Sequence, residues 1–465
     1  MDKFGIVILA AGQGTRLKLE LAKPLVPLRG KRLIDYALQA SYQFMKKNGQ
    51  GRIGVVVGHQ REKVIAALGE KYIDLPLTYA VQEKQLGTAD AVRAYFKDCT
   101  FADKCEWTLV MCADTPMISA DVLDAFWQKI STGPFKGAAA TFQTAKPKGY
   151  GRIVRASRGF KIVEEKDATI EERKIQEVNS GLYFIKTDFL ITQLAKVGSE
   201  NKSGEFYLTD VFAQNESVEA VLFEDEKLFL GVNNLVQLSE AGRYLNNAKC
   251  EQLMLSGVMM VAPEQIYIED DVEVGAESIL YGPSYFFGST KIGKGCSVEA
   301  YTTIKNSKLA DRVEILAGSH LEEAVVGERS TVGPMARLRP GTVLEKKVKI
   351  GNFVELKKAH LKDEAKVSHL SYVGDAEIGE RSNLGCGFIT CNYDGVNKHF
   401  TRIGQDCFVG SDTQIIAPVT IGDQCFIAAG STITHSVESG AFAVARTRQE
   451  TKPGLAKRFL KKKDS

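Results

Sequence analysis

Residues 403–433 read IGQDCFVGSDTQIIAPVTIGDQCFIAAGSTI. An aliphatic side chain returns at every sixth position, at Ile403, Val409, Ile415, Ile421, Ile427 and Ile433, and another piece of the beat runs through Ile378 and Leu384. A period of six matches neither the 3.6 of a helix nor the alternation of a sandwich strand. It matches a parallel β-helix, in which one aliphatic residue per repeat points into a prism and a small residue after it permits the corner. Between Leu384 and Ile403 the gap is 19 residues, one more than three repeats. The segment CNYDGVNKHFTR is therefore predicted to leave the coil as a loop, and polar excursions from rigid scaffolds are where binding groups gather.

Upstream the grammar changes. Over residues 1–233, β-like runs (GIVILA, IGVVVG, WTLVMCAD) alternate with amphipathic stretches such as LIDYALQASYQFMKK, which predicts an α/β domain on a mainly parallel sheet. Leu238, Ala241, Leu245 and Ala248 fall at helical spacing, with Gly257 as a C-terminal cap, so 234–262 is read as a linker helix. The β-helix is assigned to 263–446 and a basic tail to 447–465, the tail reading first as a frayed, solubilising end and second as an interaction arm.

Length and charge narrow the function. A chain of 465 residues exceeds what one core supports. Sixty Lys and Arg against 57 Asp and Glu leave a net charge of +3, too little to argue for nucleic acid as a partner. Nine cysteines without a C-x-x-C pair suggest neither zinc nor a disulfide framework and fit a reducing cytosol. The apolar run Phe4 to Ala11 is too short for a membrane span. A soluble, intracellular, cytoplasmic protein is expected.

The loop LAAGQGTR, Leu9 to Arg16, has the small residues of an anion cradle but neither the third glycine of a dinucleotide fingerprint nor the lysine and hydroxyl of a P-loop. Backbone N–H groups of such a loop approach an anion, a following helix would add its N-terminus, and Arg16 and Lys23 stand ready as fixed cations for a polyphosphate. Taken alone, a ligand-free glycine-rich turn remains a competing reading.

LAAGQGTR followed by LAKP resembles the sugar nucleotidyltransferases, and the match continues to residue 446 with the bifunctional bacterial N-acetylglucosamine-1-phosphate uridyltransferase/glucosamine-1-phosphate acetyltransferases. That resemblance implies a Rossmann-like nucleotidyltransferase domain, a left-handed β-helix acetyltransferase domain, a homotrimer, and small-molecule substrates on the way to cell-envelope polysaccharide. It implies UTP binding by Leu9, Ala10, Ala11, Gly12, Arg16, Lys23, Gln82, Gly87 and Thr88, with Arg16 and Lys23 catalytic, and Mg²⁺ held by Asp114 and Asn233. Gly151, Glu164, Asn179, Tyr207 and Thr209 would hold N-acetylglucosamine 1-phosphate. An aspartate at the carboxyl end of a parallel strand lies where open α/β sheets bind ligands, although a solvated strand-end acid would look the same.

In the second half the motifs ARLRPG, VELKKAH, VSHLSYVGDAEIG, CNYDG, VGSDTQ, IAAGST and ARTR carry the resemblance. It assigns glucosamine 1-phosphate to Arg339, Lys357, Tyr372, Asn383 and Lys398, and acetyl-CoA to Cys386, Asn392, Tyr393, Ser411, Ala429 and Arg446. His369 would be the general base, Glu355 its orienting neighbour and Ser411 a candidate oxyanion donor; a lone histidine without the motif would read as a satisfied surface or core group. The sequence departs from the family at Cys112-Ala113, where Tyr-Gly is common, and at Cys386 and Phe388, where Ala and Thr are usual. Cys386 has a second reading as plain filling of a coil corner. His369 and Arg446 are 77 residues apart, about four coils or roughly 20 Å, so either a long CoA molecule bridges them or a neighbouring subunit completes the pocket.

Two rival readings follow: a single-activity sugar-phosphate nucleotidyltransferase whose β-helix is structural or regulatory, and a non-catalytic scaffold. The set His369, Lys357, Tyr372, Asn392 and Lys398 speaks against the first, and the metal pair with both loop cations against the second.

Overall fold

The computed structural model describes residues 3–73, 75, 77–157, 159–213 and 216–460. The chain divides into two compact units, Met1–Leu245 and Asn246–Ser465, and the division falls within a helix, Leu235–Leu255. The last five residues of the basic tail lie outside the described ones.

In the first unit the strand Phe4–Ala10 pairs in parallel with Gly51–Val57 on one side and Trp107–Cys112 on the other, and Leu77–Val81 extends the parallel set beyond Gly51–Val57. Glu177–Lys186 then runs antiparallel to both Trp107–Cys112 and Gly137–Gln143, and Val218–Phe223 is parallel to the latter. FGIVILA is apolar along nearly its whole length because helices cover both faces of the sheet. On one face Phe4, Phe44, Trp127 and Phe184 interlock edge-on and tilted, with ring centroids 5.0–6.4 Å apart. This core fixes the strand ends from which the first site is built.

The second unit is a parallel β-helix. Most strands pair in parallel with the third strand before and after, so three short strands make one coil, while Lys349–Leu361 and Lys366–Ile378 each run through a whole coil and pair with each other. The residues of the six-residue beat, Ile403 through Ile433, are at most 4% exposed and fill the prism. Most coils repeat after 17 or 18 residues, as in Lys349 over Lys366 and Ile403 over Ile421. Ile378 stands over Ile403, 25 residues on, and the extra length is the excursion predicted from the interrupted beat. Serines stitch the coils: Ser382 Oγ donates to the Gly404 carbonyl at 2.7 Å and accepts from Cys407 N–H at 2.9 Å. At corners the backbones stack closely, and a Cβ on Gly410 would stand 2.4 Å from Ala429 N. The first coil strand is Met259–Val261, ahead of residue 263, where the beat is not yet visible because Met259 and Val261 point outward.

Candidate active sites

The carboxyl ends of the parallel strands open into a cleft of about 380 Å³. Leu9, Ala10, Ala11, Gly12, Lys23, Gln82, Gly87 and Thr88 all line it, together with Asp114; Arg16 stands beside it. The loop does not run into a helix as its sequence suggests. Gly14 (φ 66°) and Lys18 (φ 56°) are left-handed and bracket a three-residue 3-10 turn, Thr15–Leu17, and the first long helix begins only at Leu33. One such turn has no useful macrodipole, so the positive field at the loop comes from its N–H groups and from Arg16 and Lys23.

Gly87 has φ 121° and ψ 176°, a region that glycine alone enters without strain, and it opens the helix Thr88–Asp98. A Cβ on it would lie 2.4 Å from the Phe206 carbonyl oxygen. Phe206 N–H donates to Leu86 O at 2.7 Å, Ala89 N–H to Phe206 O at 2.9 Å and Leu208 N–H to the Thr88 hydroxyl at 3.0 Å. The segment holding Gln82, Gly87 and Thr88 is thereby tied to the one holding Tyr207 and Thr209. Gln82 Nε2 donates to Gly87 O at 3.0 Å and to Asp90 at 2.8 Å; both partners accept, so the amide orientation is set and Oε1 is its acceptor.

Asp114 and Asn233 meet because Val232 N–H donates to the Asp114 carbonyl at 2.8 Å. The Lys23 ammonium contacts the Asp114 carboxylate and lies 3.0 Å from Asn233 Oδ1, which Arg16 also reaches at 2.9 Å. Oxygens of both residues thus converge on the Lys23 ammonium. Two hard oxygen donors with phosphate and water completing the shell suit Mg²⁺. Among the described residues no group of three or more His, Cys, Asp or Glu side chains forms a closed metal site. Cys112 and Ala113 line the same cleft. Burial, and then the Asp114 charge, pushes the Cys112 thiol up to about 12, making it a neutral wall rather than a nucleophile at neutral pH.

A second cleft, about 620 Å³, is lined by Glu164 and Tyr207 beside Asp167, Asn201 and Asp210. A Cβ on Gly151 would meet Glu164 Oε1 at 3.4 Å and Asn179 Cβ at 3.6 Å, and Thr209 Oγ1 donates to Glu164 Oε1 at 3.3 Å. The five residues matched to the sugar phosphate therefore converge. Desolvation raises the Glu164 carboxyl, the Thr209 hydroxyl opposes this, and Asp210, Asp167 and Glu205 add to it.

On the β-helix, register builds a row. Gly387 N–H donates to Leu370 O at 3.0 Å, Asp412 N–H to Cys386 O at 2.7 Å, Gly430 N–H to Ser411 O at 2.8 Å, and the Arg446 guanidinium to Ala429 O. His369, Cys386, Ser411, Ala429 and Arg446 therefore occupy one corner of successive coils, all exposed, over roughly 20 Å. Cys386 faces outward, not into the corner, whereas Phe388 is fully buried in the prism. Ser411 stands two coils from His369, roughly 10 Å along the axis, too far within one prism to polarise a carbonyl being attacked beside His369.

The neighbour of His369 also differs from expectation. In the paired strands Lys349–Leu361 and Lys366–Ile378, His369 aligns with Asn352, whose Oδ1 lies 2.9 Å from His369 Nδ1. Glu355 aligns with Tyr372 instead and pairs with Arg339 at 2.8 Å, because three residues along the strand carry it past the corner. Lys357 and Lys398 are close enough that the Lys398 ammonium, followed by burial and Arg339, pushes the Lys357 amine down. Three cations thus crowd one spot beside Tyr372, the charge pattern that a phosphate dianion relieves. Asn383 does not join them: it aligns with Lys366 and Phe408 on the adjoining face. Tyr393 and Lys398 form an antiparallel bridge in the excursion. Asn392 at its root is 7% exposed and donates to Asp375 at 2.5 Å.

Sequence reading missed Asn352, Asp375 and Gln85, whose Nε2 donates to the Ala11 carbonyl at 2.5 Å. Asn352 lies one coil before His369, so a 17-residue offset would have found it; Gln85 carries no such signal.

Residues 6–227 match the nucleotidyl transferase family model, 262–352 the GMPPB C-terminal domain, and 400–435 the bacterial transferase hexapeptide (six repeats). The bifunctional protein GlmU of Trichlorobacter lovleyi is 45% identical over 468 residues, spanning 99% of this chain and 98% of that protein. Those of Pelobacter propionicus (42% over 472 residues, 99% and 100%) and Staphylococcus haemolyticus (41% over 458 residues, 97% and 99%) align as fully. Because such likeness runs unbroken through the cleft, the helix and the prism, the chain belongs to the GlmU family of bifunctional uridyltransferase/acetyltransferase enzymes.

Proposed function

We propose that the chain makes UDP-N-acetylglucosamine by two transfers: acetyl from acetyl-CoA to the nitrogen of glucosamine 1-phosphate, then uridylyl from UTP to N-acetylglucosamine 1-phosphate with release of pyrophosphate. The observation that carries this reading is that one polypeptide holds both the converging Lys23, Asp114 and Asn233 cluster and, on its β-helix, an exposed His369 together with the clustered Arg339, Lys357 and Lys398 cations. Relatives matched end to end are bifunctional, which leaves the single-activity reading without support.

For uridylyl transfer, Gln82 Oε1 accepts the uracil ring N–H, and Gly87 and Thr88 hold the base edge. Gly151, Glu164, Asn179, Tyr207 and Thr209 place the sugar so that its phosphate faces the α-phosphorus. Arg16 and Lys23 neutralise charge on the triphosphate and the leaving pyrophosphate. Mg²⁺, held by Asp114 and Asn233, supplies further neutralisation when bound. Lys23 exchanges its carboxylate partner for phosphate oxygens as the nucleotide enters.

For acetyl transfer, Arg339, Lys357, Tyr372 and Lys398 bind the sugar phosphate. With Asn352 Oδ1 accepting from Nδ1–H, the His369 lone pair is on Nε2, where it takes the amine proton as nitrogen attacks the thioester carbon. The corner row through Cys386, Ser411, Ala429 and Arg446 is long enough for an extended CoA. A homotrimer formed through the β-helix brings a neighbour's Asn383 face and Arg446 to complete each pocket, which explains why one prism keeps them apart. The cytoplasm, where UTP and acetyl-CoA are made, suits nine cysteines that form no disulfide. Among the described residues no helix is long and apolar enough to cross a membrane.

The test is His369→Ala with the two reactions assayed separately. Acetyl transfer should fall by about 10²–10⁴-fold while uridylyl transfer stays at the parent rate; acetyl transfer at the parent rate would remove the base assignment.

A further inference from the structure

The excursion after Cys391 is fastened by one carboxylate. Asp394 Oδ1 accepts from the N–H groups of Val396 at 2.8 Å and Asn397 at 2.6 Å, closing the turn, while its Oδ2 lies 2.6 Å from His399 Nε2. Asp394 N–H donates to Asn397 O at 3.1 Å, His399 N–H donates to Asn392 O at 2.8 Å, and Tyr393 bridges Lys398 across the hairpin. Lys398 immediately precedes His399, and successive side chains of an extended segment point to opposite sides. When Asp394 grips the imidazole on one side, Lys398 is turned to the other, toward Lys357. That placement needs a restraint, because two ammonium groups brought this close repel each other when no anion lies between them. An exposed hairpin without such a fastening would let Lys398 swing into solvent.

We propose that His399, clasped by Asp394, is a positioning residue for Lys398 and so sets the affinity of the acetyl-transfer site for the phosphate of its sugar substrate. The inference rests on the reading of Lys398 as a phosphate ligand, and it adds a residue that this reading left unassigned. His399 touches neither substrate; it acts through the lysine beside it. The low carboxyl of Asp394, held down first by His399 and then by the two turn N–H groups, agrees with a clasp that stays ionised at neutral pH.

The experiment is a double-mutant cycle on the full-length enzyme, read as KM for glucosamine 1-phosphate and kcat of acetyl transfer, with thermal unfolding of each variant as the check on folding. His399→Leu should raise that KM about tenfold, the scale of one charge-assisted hydrogen bond, and leave kcat and the acetyl-CoA KM within about twofold. His399→Gln, which keeps a donor toward Asp394, should restore most of the affinity. In a Lys398→Ala background His399→Leu should add nothing further. An unchanged KM in His399→Leu, or its full effect persisting without Lys398, would overturn the clasp. If Lys398→Ala itself leaves KM unchanged, the phosphate-ligand reading fails first, and the cycle separates the two failures.

Discussion

Gly87→Ala is the sharpest test of how the nucleotide cleft is built. The residue sits at φ 121°, ψ 176°, where a side chain costs about 1–3 kcal/mol. The added Cβ would also fall 2.4 Å from the Phe206 carbonyl oxygen and 2.7 Å from its nitrogen, both backbone atoms that cannot rotate away. Phe206 must retreat, which disturbs three hydrogen bonds joining it and Leu208 to residues 86–89, each with a net contribution of about 1 kcal/mol. If half of that loss is relieved by local adjustment, about 3 kcal/mol remains against the segment holding Gln82, Gly87 and Thr88, equivalent to a rise of about 100-fold in KM for UTP if that segment holds the base as proposed. Pyrophosphate release titrated with UTP reads this directly, and acetyl transfer, catalysed in the other unit, should be unchanged. Gly12 in the same cleft is the control, since a Cβ there meets nothing within 4 Å, so Gly12→Ala should leave thermal stability as it is. A Gly87→Ala enzyme with parental KM and stability would refute the claim that Phe206 and the base segment form one backed unit.

Two further outcomes are expected. The Glu164 carboxyl is raised chiefly by desolvation, so its ionised form opposes folding: the penalty is absent below its unfolded value near 4.5 and grows as pH rises through the higher folded value. Glu164→Gln should therefore raise the melting temperature at pH 7 and lose that advantage near pH 4, while weakening binding of N-acetylglucosamine 1-phosphate; calorimetry at the two pH values checks the sign. Phe388 is fully buried in the prism, so Phe388→Ala should lower stability by about 3–5 kcal/mol in denaturant titration without changing the acetyl-CoA KM, whereas a selective change in that KM would mean the ring shapes the CoA path.

The limits of sequence reading show in particular residues. The β-helix was legible from Ile403 to Ile433 because a coil buries one aliphatic residue per six, a periodic demand that leaves its mark on the chain. The excursion was legible as a break in that beat. Asp114 was legible as a carboxylate closing an apolar run, and the structure puts it at the carboxyl end of a parallel strand as expected. The helix expected after LAAGQGTR was not formed, because left-handed Gly14 and Lys18 stop the turn after three residues.

What the sequence determined by itself was whatever repeats locally or stands within one motif: the prism, the parallel α/β sheet, the small-residue loop after the first strand and the residue types at each site. Tertiary structure alone decided which of those residues meet. The interrupted beat marks the 25-residue coil but not which residues of neighbouring coils of 17 and 18 face each other, and that register sets Asn352 rather than Glu355 against His369, leaves Ser411 two coils away and brings Lys398 to Lys357. A side chain's inward or outward direction depends on its nearest neighbours in sequence, but its partner depends on the summed length of everything folded between the two.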